Sequence, residues 1–217
     1  GQSALSMRLA VPNSTSSKAG LLLGIDIGSS GLKAVLLDVD KGILAVSGQP
    51  IALHSDQVGW AEADTTEWWR ALCAAVPELI TNAGCKAGDI SAVAVSGMVP
   101  AVVITDAHGL ALRRAMLQND ARATDEIKSL STKMEGFDFL SLTGSQLTQQ
   151  SVAPSALWLS KNEPNNWNAT KMIMGSYDWM AINLGAAPHV EENWAIESGL
   201  YGWDKKPLRP VLDGTNI

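Results

Sequence analysis

The chain is 217 residues long, 46% hydrophobic and 18% charged, with a net charge of −6. That is enough apolar material for a sizeable core in one large domain or two small ones, and it excludes a disordered chain. An acidic chain without a basic run is also a poor partner for nucleic acid or for an anionic membrane surface.

Residues 1–19 are rich in Ser and small side chains and show no sustained period. They are read as a disordered tail or an expression remnant, with Met7 a candidate native start. Leu21 to Ile27 is a continuous apolar run and is expected to form a buried strand. Ser29-Ser30-Gly31 is a turn, Leu32 to Asp38 a second strand, and Ile43 to Leu53 a third after the Asp40-Lys41-Gly42 turn. Together they predict a three-strand meander with tight connections.

Asp64 is expected to N-cap a helix, with Glu67 at the spacing of a capping box. Trp69, Leu72, Val76, Leu79 and Ile80 recur at helical spacing and predict its apolar face. Pro77 should kink or end the helix, and Gly84 is a stop signal. Ile90 to Val95 reads as a buried strand, Ala101 to Thr105 as a short one, and Asp106 to Gly109 as its turn. Helices are expected over Ala121–Met134, Ala153–Lys161 and Tyr177–Leu184, with a strand at Met172–Met174. After Gly202 the pattern is lost. Three strands, a helix, a strand and a helix are the order of a ribonuclease-H-like α/β domain: a mixed sheet flanked by helices.

Cys73 and Cys85 lack CxxC spacing, which excludes a disulfide framework and a zinc ribbon and suits reduced thiols in a cytoplasm. No apolar run approaches about 18 residues, so no membrane-spanning helix is expected. His54, His108 and His189 show no metal-ligand spacing.

Three polar constellations stand out. In Asp26-Ile27-Gly28-Ser29-Ser30-Gly31 a carboxylate ends a strand and is followed by a turn of glycines and hydroxyls. Such a turn can meet phosphate oxygens with backbone N–H groups and hydroxyls, while Asp26 holds Mg²⁺ directly or through water. An ordinary hairpin turn is the alternative. Ser96-Gly97-Met98-Val99-Pro100 lies at a strand end, where open sheets line ligand crevices; read by itself it is a structural turn. Gln118-Asn119-Asp120-Ala121-Arg122 offers amide, carboxylate and guanidinium groups suited to sugar hydroxyls. On its own it reads first as a helix cap through Asn119 or Asp120, with Arg122 solvated.

Seven segments in register resemble the N-terminal part of the FGGY carbohydrate kinases, nearest the xylulokinase-like branch. Gly24 to Ala34 is similar to the family's opening phosphate loop. Gly59-Trp60-Ala61-Glu62-Ala63-Asp64, with Trp68-Trp69, resembles its GWxExDPxxWW stretch. Ser96-Gly97 opens a counterpart of SGQMHG, and Gln118 to Arg122 resembles WNDxR. Leu142-Thr143-Gly144, Trp158 to Pro164 and Tyr177-Asp178-Trp179 resemble TGN, WLKENEP and KDYL.

The resemblance implies an actin-like ATPase fold and phosphoryl transfer from ATP, with Mg²⁺, to a hydroxyl of a pentulose or similar carbohydrate. It assigns Asp26, Gly28, Ser29 and Ser30 to phosphate and metal, and Met98, Val99, Gln118, Asp120 and Arg122 to the sugar. Residues 20–217 would be an incomplete first domain. No counterpart of the family's Gly-rich segment with its base aspartate occurs before Ile217, so no catalytic residue is expected in this chain. A homodimer is compatible with the family.

Two departures bear on the substrate: Pro100 stands where the family has a sugar-binding His, and Gln118 where it has a Trp. They imply that D-xylulose is not the best substrate. The rival readings are a non-catalytic sugar-binding or regulatory fragment and, less favoured by the GWxE and NDxR stretches, another actin-like ATPase.

Overall fold

The computed structural model describes residues 20–215. The expected tail over residues 1–19 lies outside them.

Strands β1 (Leu21–Ile27), β2 (Gly31–Asp38) and β3 (Gly42–Pro50) form the expected antiparallel meander, and β3 ends three residues earlier than expected. The short β4 (Glu62–Ala63) leads into helix α1 (Thr65–Ala83), and β5 (Ile90–Gly97) then pairs with β1 in parallel. The sheet order is β3-β2-β1-β5. This mixed sheet flanked by helices is the fold class the sequence implied.

Helix α1 lies against β2 and β3. Asp64 caps it by accepting from the Thr66 N–H at 2.8 Å, and Gly84 ends it in the left-handed region at φ 63°. The capping box does not form: the Glu67 carboxylate accepts instead from the Ala52 N–H at 3.2 Å. The helix also runs through Pro77 to Ala83. Its buried face is Trp68, Ala71, Leu72, Ala75 and Leu79, so Trp68 takes the core position expected for Trp69, which is 37% exposed.

Strand β5 departs most from its reading. Its apolar sequence implied burial, yet Val93 is 46% exposed. Among the described residues β5 is an edge strand paired only with β1, so its composition is not matched by cover.

A second group of elements follows. Strands β6 (Val103–Thr105) and β7 (Ala115–Met116) are followed by helices α2 (Thr124–Lys133), α3 (Phe139–Thr143), α4 (Val152–Asn162) and α5 (Pro164–Ala169). Strand β8 (Met172–Met174), α6 (Ser176–Asn183), α7 (Glu192–Glu197) and α8 (Arg209–Thr215) complete it. Two apolar clusters result. The first joins the sheet to α1 and α6, where Trp68 meets Trp179 edge-on at 6.0 Å. The second is built around Leu130, Val152, Leu157, Trp194 and Val211. Among the described residues no helix is long and apolar enough to cross a membrane, and no three His, Cys, Asp or Glu side chains gather as a metal site.

Candidate functional site

Strand alternation turns Ile25 and Ile27 into the core and leaves Asp26 exposed on the other face. Its register partners are Lys33 on β2 and Ser96 on β5. Asp26 nevertheless takes part in no ion pair among the described residues. The Gly28 N–H donates to the Gly31 carbonyl at 2.9 Å and closes the turn, which leaves Ser29 and Ser30 exposed. A carboxylate and two hydroxyls are an all-oxygen donor set of the kind a hard cation such as Mg²⁺ accepts, with water completing its shell.

Strand β5 reaches the same end of the sheet. The Met98 N–H donates to the Ile27 carbonyl at 2.9 Å, so the segment after β5 starts one residue from the turn after β1. Met98 and Val99 are half-buried, Met98 against the first cluster and Val99 against the second. Pro100 and Ala101 are buried. Val102 bridges Met116 in antiparallel sense. Pro100 precedes Val102 by two residues and Gln118 follows Met116 by two, so that register carries both departures to the same end of the pairing. Gln118 is half-buried there.

Asp120 and Arg122 lie together in a buried ionic knot. Asp120 Oδ2 accepts from the Ala61 N–H at 2.7 Å and from Arg122 Nη2 at 2.6 Å, and Oδ1 accepts from Arg122 Nε at 2.8 Å. Arg122 Nη2 also donates to Glu62 Oε1 at 2.6 Å, and Arg113 bridges Glu62 to Glu163. The Arg122 side chain is 1% exposed. Burial acts against its charge, but the hydrogen bonds to Asp120 and Glu62 outweigh that and raise its pKa. Its Nη1 is buried without a hydrogen-bond partner. The guanidinium instead rests 3.6 Å from the Trp60 ring centroid, with the Trp158 ring at 5.0 Å. The helix-cap reading is thereby corrected: α2 starts at Thr124 with Ala123 at its N-cap, and the Asp120 carboxylate is spent on the 59–61 segment and on Arg122.

Sequence reasoning did not assign Trp60, Glu62, Arg113, Trp158 or Glu163 to a common structure. The signal for four of them was the GWxE and WLKENEP likenesses, which converge here with NDxR; Arg113 carried none.

Comparisons with known proteins identify the family. Residues 21–207 match the model of the FGGY family of carbohydrate kinases, N-terminal domain. The chain is 26% identical over 198 residues to a xylulose kinase of Staphylococcus epidermidis, covering 91% of this chain and 39% of that enzyme. It is 27% identical over 190 residues to an L-xylulose/3-keto-L-gulonate kinase of Escherichia coli, covering 88% of this chain and 38% of that one. The crystal structure of a xylulose kinase from Rhodospirillum rubrum superposes with a TM-score of 0.84 at 32% identity, over 91% of this chain and 41% of the other. The chain spans about two fifths of the length of these relatives. It belongs to the FGGY family of carbohydrate kinases, whose N-terminal domain it matches.

Proposed function

We propose, proceeding from that membership, that this chain is the acceptor-binding part of an ATP-dependent sugar kinase. The whole protein would transfer a phosphoryl group from ATP to a hydroxyl of a pentulose or similar polyol. The observation that carries the reading is the meeting of two strand ends. The Asp26–Ser30 turn and the Met98–Ala101 segment leave neighbouring parallel strands at one end of the sheet, linked by the Met98 to Ile27 hydrogen bond.

On this reading Asp26, Gly28, Ser29 and Ser30 face the phosphates, and Asp26 would hold Mg²⁺ through water. When bound, the metal neutralises charge on the transferring group. Met98, Val99 and Gln118 line the acceptor wall. Asp120 and Arg122 belong to the same side of the site and act from the knot, by fixing the segment that carries Gln118. Phosphoryl transfer rests on positioning, so a rigid acceptor wall beside a phosphate turn is what this part can contribute. Pro100 and Gln118 favour a pentulose of other stereochemistry, or a smaller polyol, over D-xylulose.

The test is calorimetry on the 217-residue chain with D-xylulose, L-xylulose, ribulose and glycerol, followed by kinase assays on the complete protein. Sugar binding without turnover by this chain, and turnover by the complete protein, are expected. A chain that binds none of the sugars would sink the acceptor reading. Sugar binding with a complete protein that never consumes ATP would point to a binding module. D-xylulose giving the highest kcat/KM by a wide margin would overturn the specificity argument.

A further inference from the structure

The Met98–Ala101 segment is gripped from outside its own strand. Its first carbonyl, on Met98, accepts from Ser176 Oγ at 3.3 Å, and its last, on Ala101, accepts from Trp194 Nε1 at 3.0 Å. These donors belong to α6 and α7, far along the chain. Both are buried: Ser176 is 0% exposed and Trp194 is 2%.

Two glycines make room for this grip. A Cβ on Gly97 would stand 2.7 Å from Ser176 Oγ. One on Gly175 would stand 2.8 Å from the Trp194 ring and 3.1 Å from Asp178 Oδ2. Real Cβ atoms essentially never approach closer than 3.0 Å, so the 2.7 Å and 2.8 Å contacts show that α6 and α7 approach where side chains are absent.

Asp178 ties the two donors together. Its buried carboxylate accepts from the Gly175 N–H at 3.0 Å and from the Glu191 N–H at 2.9 Å. Glu191 in turn caps α7, accepting from the Trp194 N–H at 3.0 Å. One carboxylate therefore fixes the start of α6, which carries Ser176, against the start of α7, which carries Trp194.

We propose that Ser176 and Trp194 are positioning residues for the acceptor, holding both carbonyl ends of the Met98–Ala101 wall, with Asp178 as the anchor that keeps them in step. This rests on the reading of that segment as the acceptor wall. Pro100 has no N–H to contribute to its own anchoring. Beyond the Met98 N–H bond to Ile27, the wall is held through its carbonyls, and among the described residues only α6 and α7 supply side-chain donors to them.

The experiment uses the 217-residue chain labelled with ¹⁵N. Calorimetry first identifies a sugar from the panel above that binds. The same sugar is then titrated while the Trp194 indole N–H resonance is followed, assigned by its loss in Trp194→Phe or, should that variant fail to fold, by triple-resonance spectra. The resonance is expected to move along the calorimetric binding curve, because its acceptor carbonyl sits on the wall. Ser176→Ala is expected to weaken sugar binding about fivefold, the loss of one hydrogen bond of ordinary strength, while its fold by circular dichroism is retained. Sugar binding by Ser176→Ala at the unmodified affinity, with a stationary Trp194 resonance, overturns the positioning role and leaves the acceptor reading intact. Absence of sugar binding by the unmodified chain overturns both, and calorimetry shows it before any variant is made.

Discussion

Two polar segments of similar composition have opposite fates in this molecule. At the strand end, Asp26 is exposed and takes part in no ion pair among the described residues, with hydroxyls on the turn that follows. In the knot, Asp120 accepts from the Ala61 N–H and from three nitrogens of Arg122, and is 4% exposed. A carboxylate whose lone pairs are already met inside the fold has little left to offer a ligand, whereas one left open contributes nothing to the fold and is available to phosphate and metal. Burial and hydrogen-bond satisfaction separate the two roles; residue type does not.

The largest expected effect comes from breaking the knot. Arg122→Ala leaves Asp120 and Glu62 buried without their shared cation. Removing one partner of a buried pair costs about 3–5 kcal/mol, because the other charge stays behind. Urea unfolding measures it. A variant within about 1 kcal/mol of the unmodified chain would show that the knot is a passenger and would erase the contrast with Asp26.

Asp178 sharpens the comparison from between the extremes. It is buried like Asp120, but its direct donors are backbone N–H groups, and the nearest cation-forming group is His189 at 3.9 Å. Burial pushes its carboxyl above the usual carboxylate range, against the N–H groups of Gly175 and Glu191 that hold it down. The folded chain therefore binds this proton more tightly than the unfolded chain. Stability from this group is present at low pH and is lost as pH rises from about 4 through the folded pKa. Asp178→Asn should remove that decline. It should also cost about 1–3 kcal/mol, because its amide N–H₂ replaces one of two acceptors and leaves a buried N–H unmet. Thermal melts between pH 3 and 7 check both. An unchanged slope would mean that Asp178 does not titrate in this window.

The same contrast governs what the sequence could reveal. The meander was readable because two mainly apolar runs, Leu21 to Ile27 and Leu32 to Leu37, are set apart by short turns rich in Gly, Ser and Asp. The span of α1 was readable from Asp64 and Gly84, but its face was assigned to Trp69 because two adjacent tryptophans fit the period almost equally. β5 was misread because apolar composition reports what a strand could bury, and an edge strand has one neighbour fewer. Helices α3, α5, α7 and α8 span five to seven residues, too short to display a repeat of 3.6. At the site, the open turn was legible because its residues are contiguous. The knot was not, because Glu62, Arg113 and Glu163 are far apart in sequence and each alone reads as a solvated charge.

Asp64 supplies a smaller step in the series. It is partly exposed and serves only the N-terminus of α1, accepting from the Thr66 N–H and hydroxyl. Burial pushes its pKa up, but those two hydrogen bonds outweigh it and hold the carboxyl below its usual value. Its contribution is therefore present above about pH 4 and is lost as pH falls through the folded pKa, opposite in sign to Asp178. Asp64→Ala should cost about 1 kcal/mol at neutral pH, the usual worth of an N-cap. A loss above about 3 kcal/mol would show that Asp64 does more than cap.

Asp26 closes the series with the smallest effect on the fold. Its carboxylate touches no ionic partner among the described residues, so Asp26→Ala should change unfolding free energy by no more than about 0.5 kcal/mol, as at other surface sites. The same substitution in the complete kinase should lower kcat by about a hundredfold or more, with the KM for sugar nearly unchanged, because the group it removes would meet the phosphates and not the acceptor. This pairing of a silent fold with a crippled reaction is the inverse of what Arg122→Ala predicts for the chain itself. A clear loss of stability in Asp26→Ala would place it with the structural carboxylates. Turnover within a few-fold of the unmodified kinase would make the strand-end turn an ordinary hairpin, and the contrast between the two regions would no longer be one between ligand and fold.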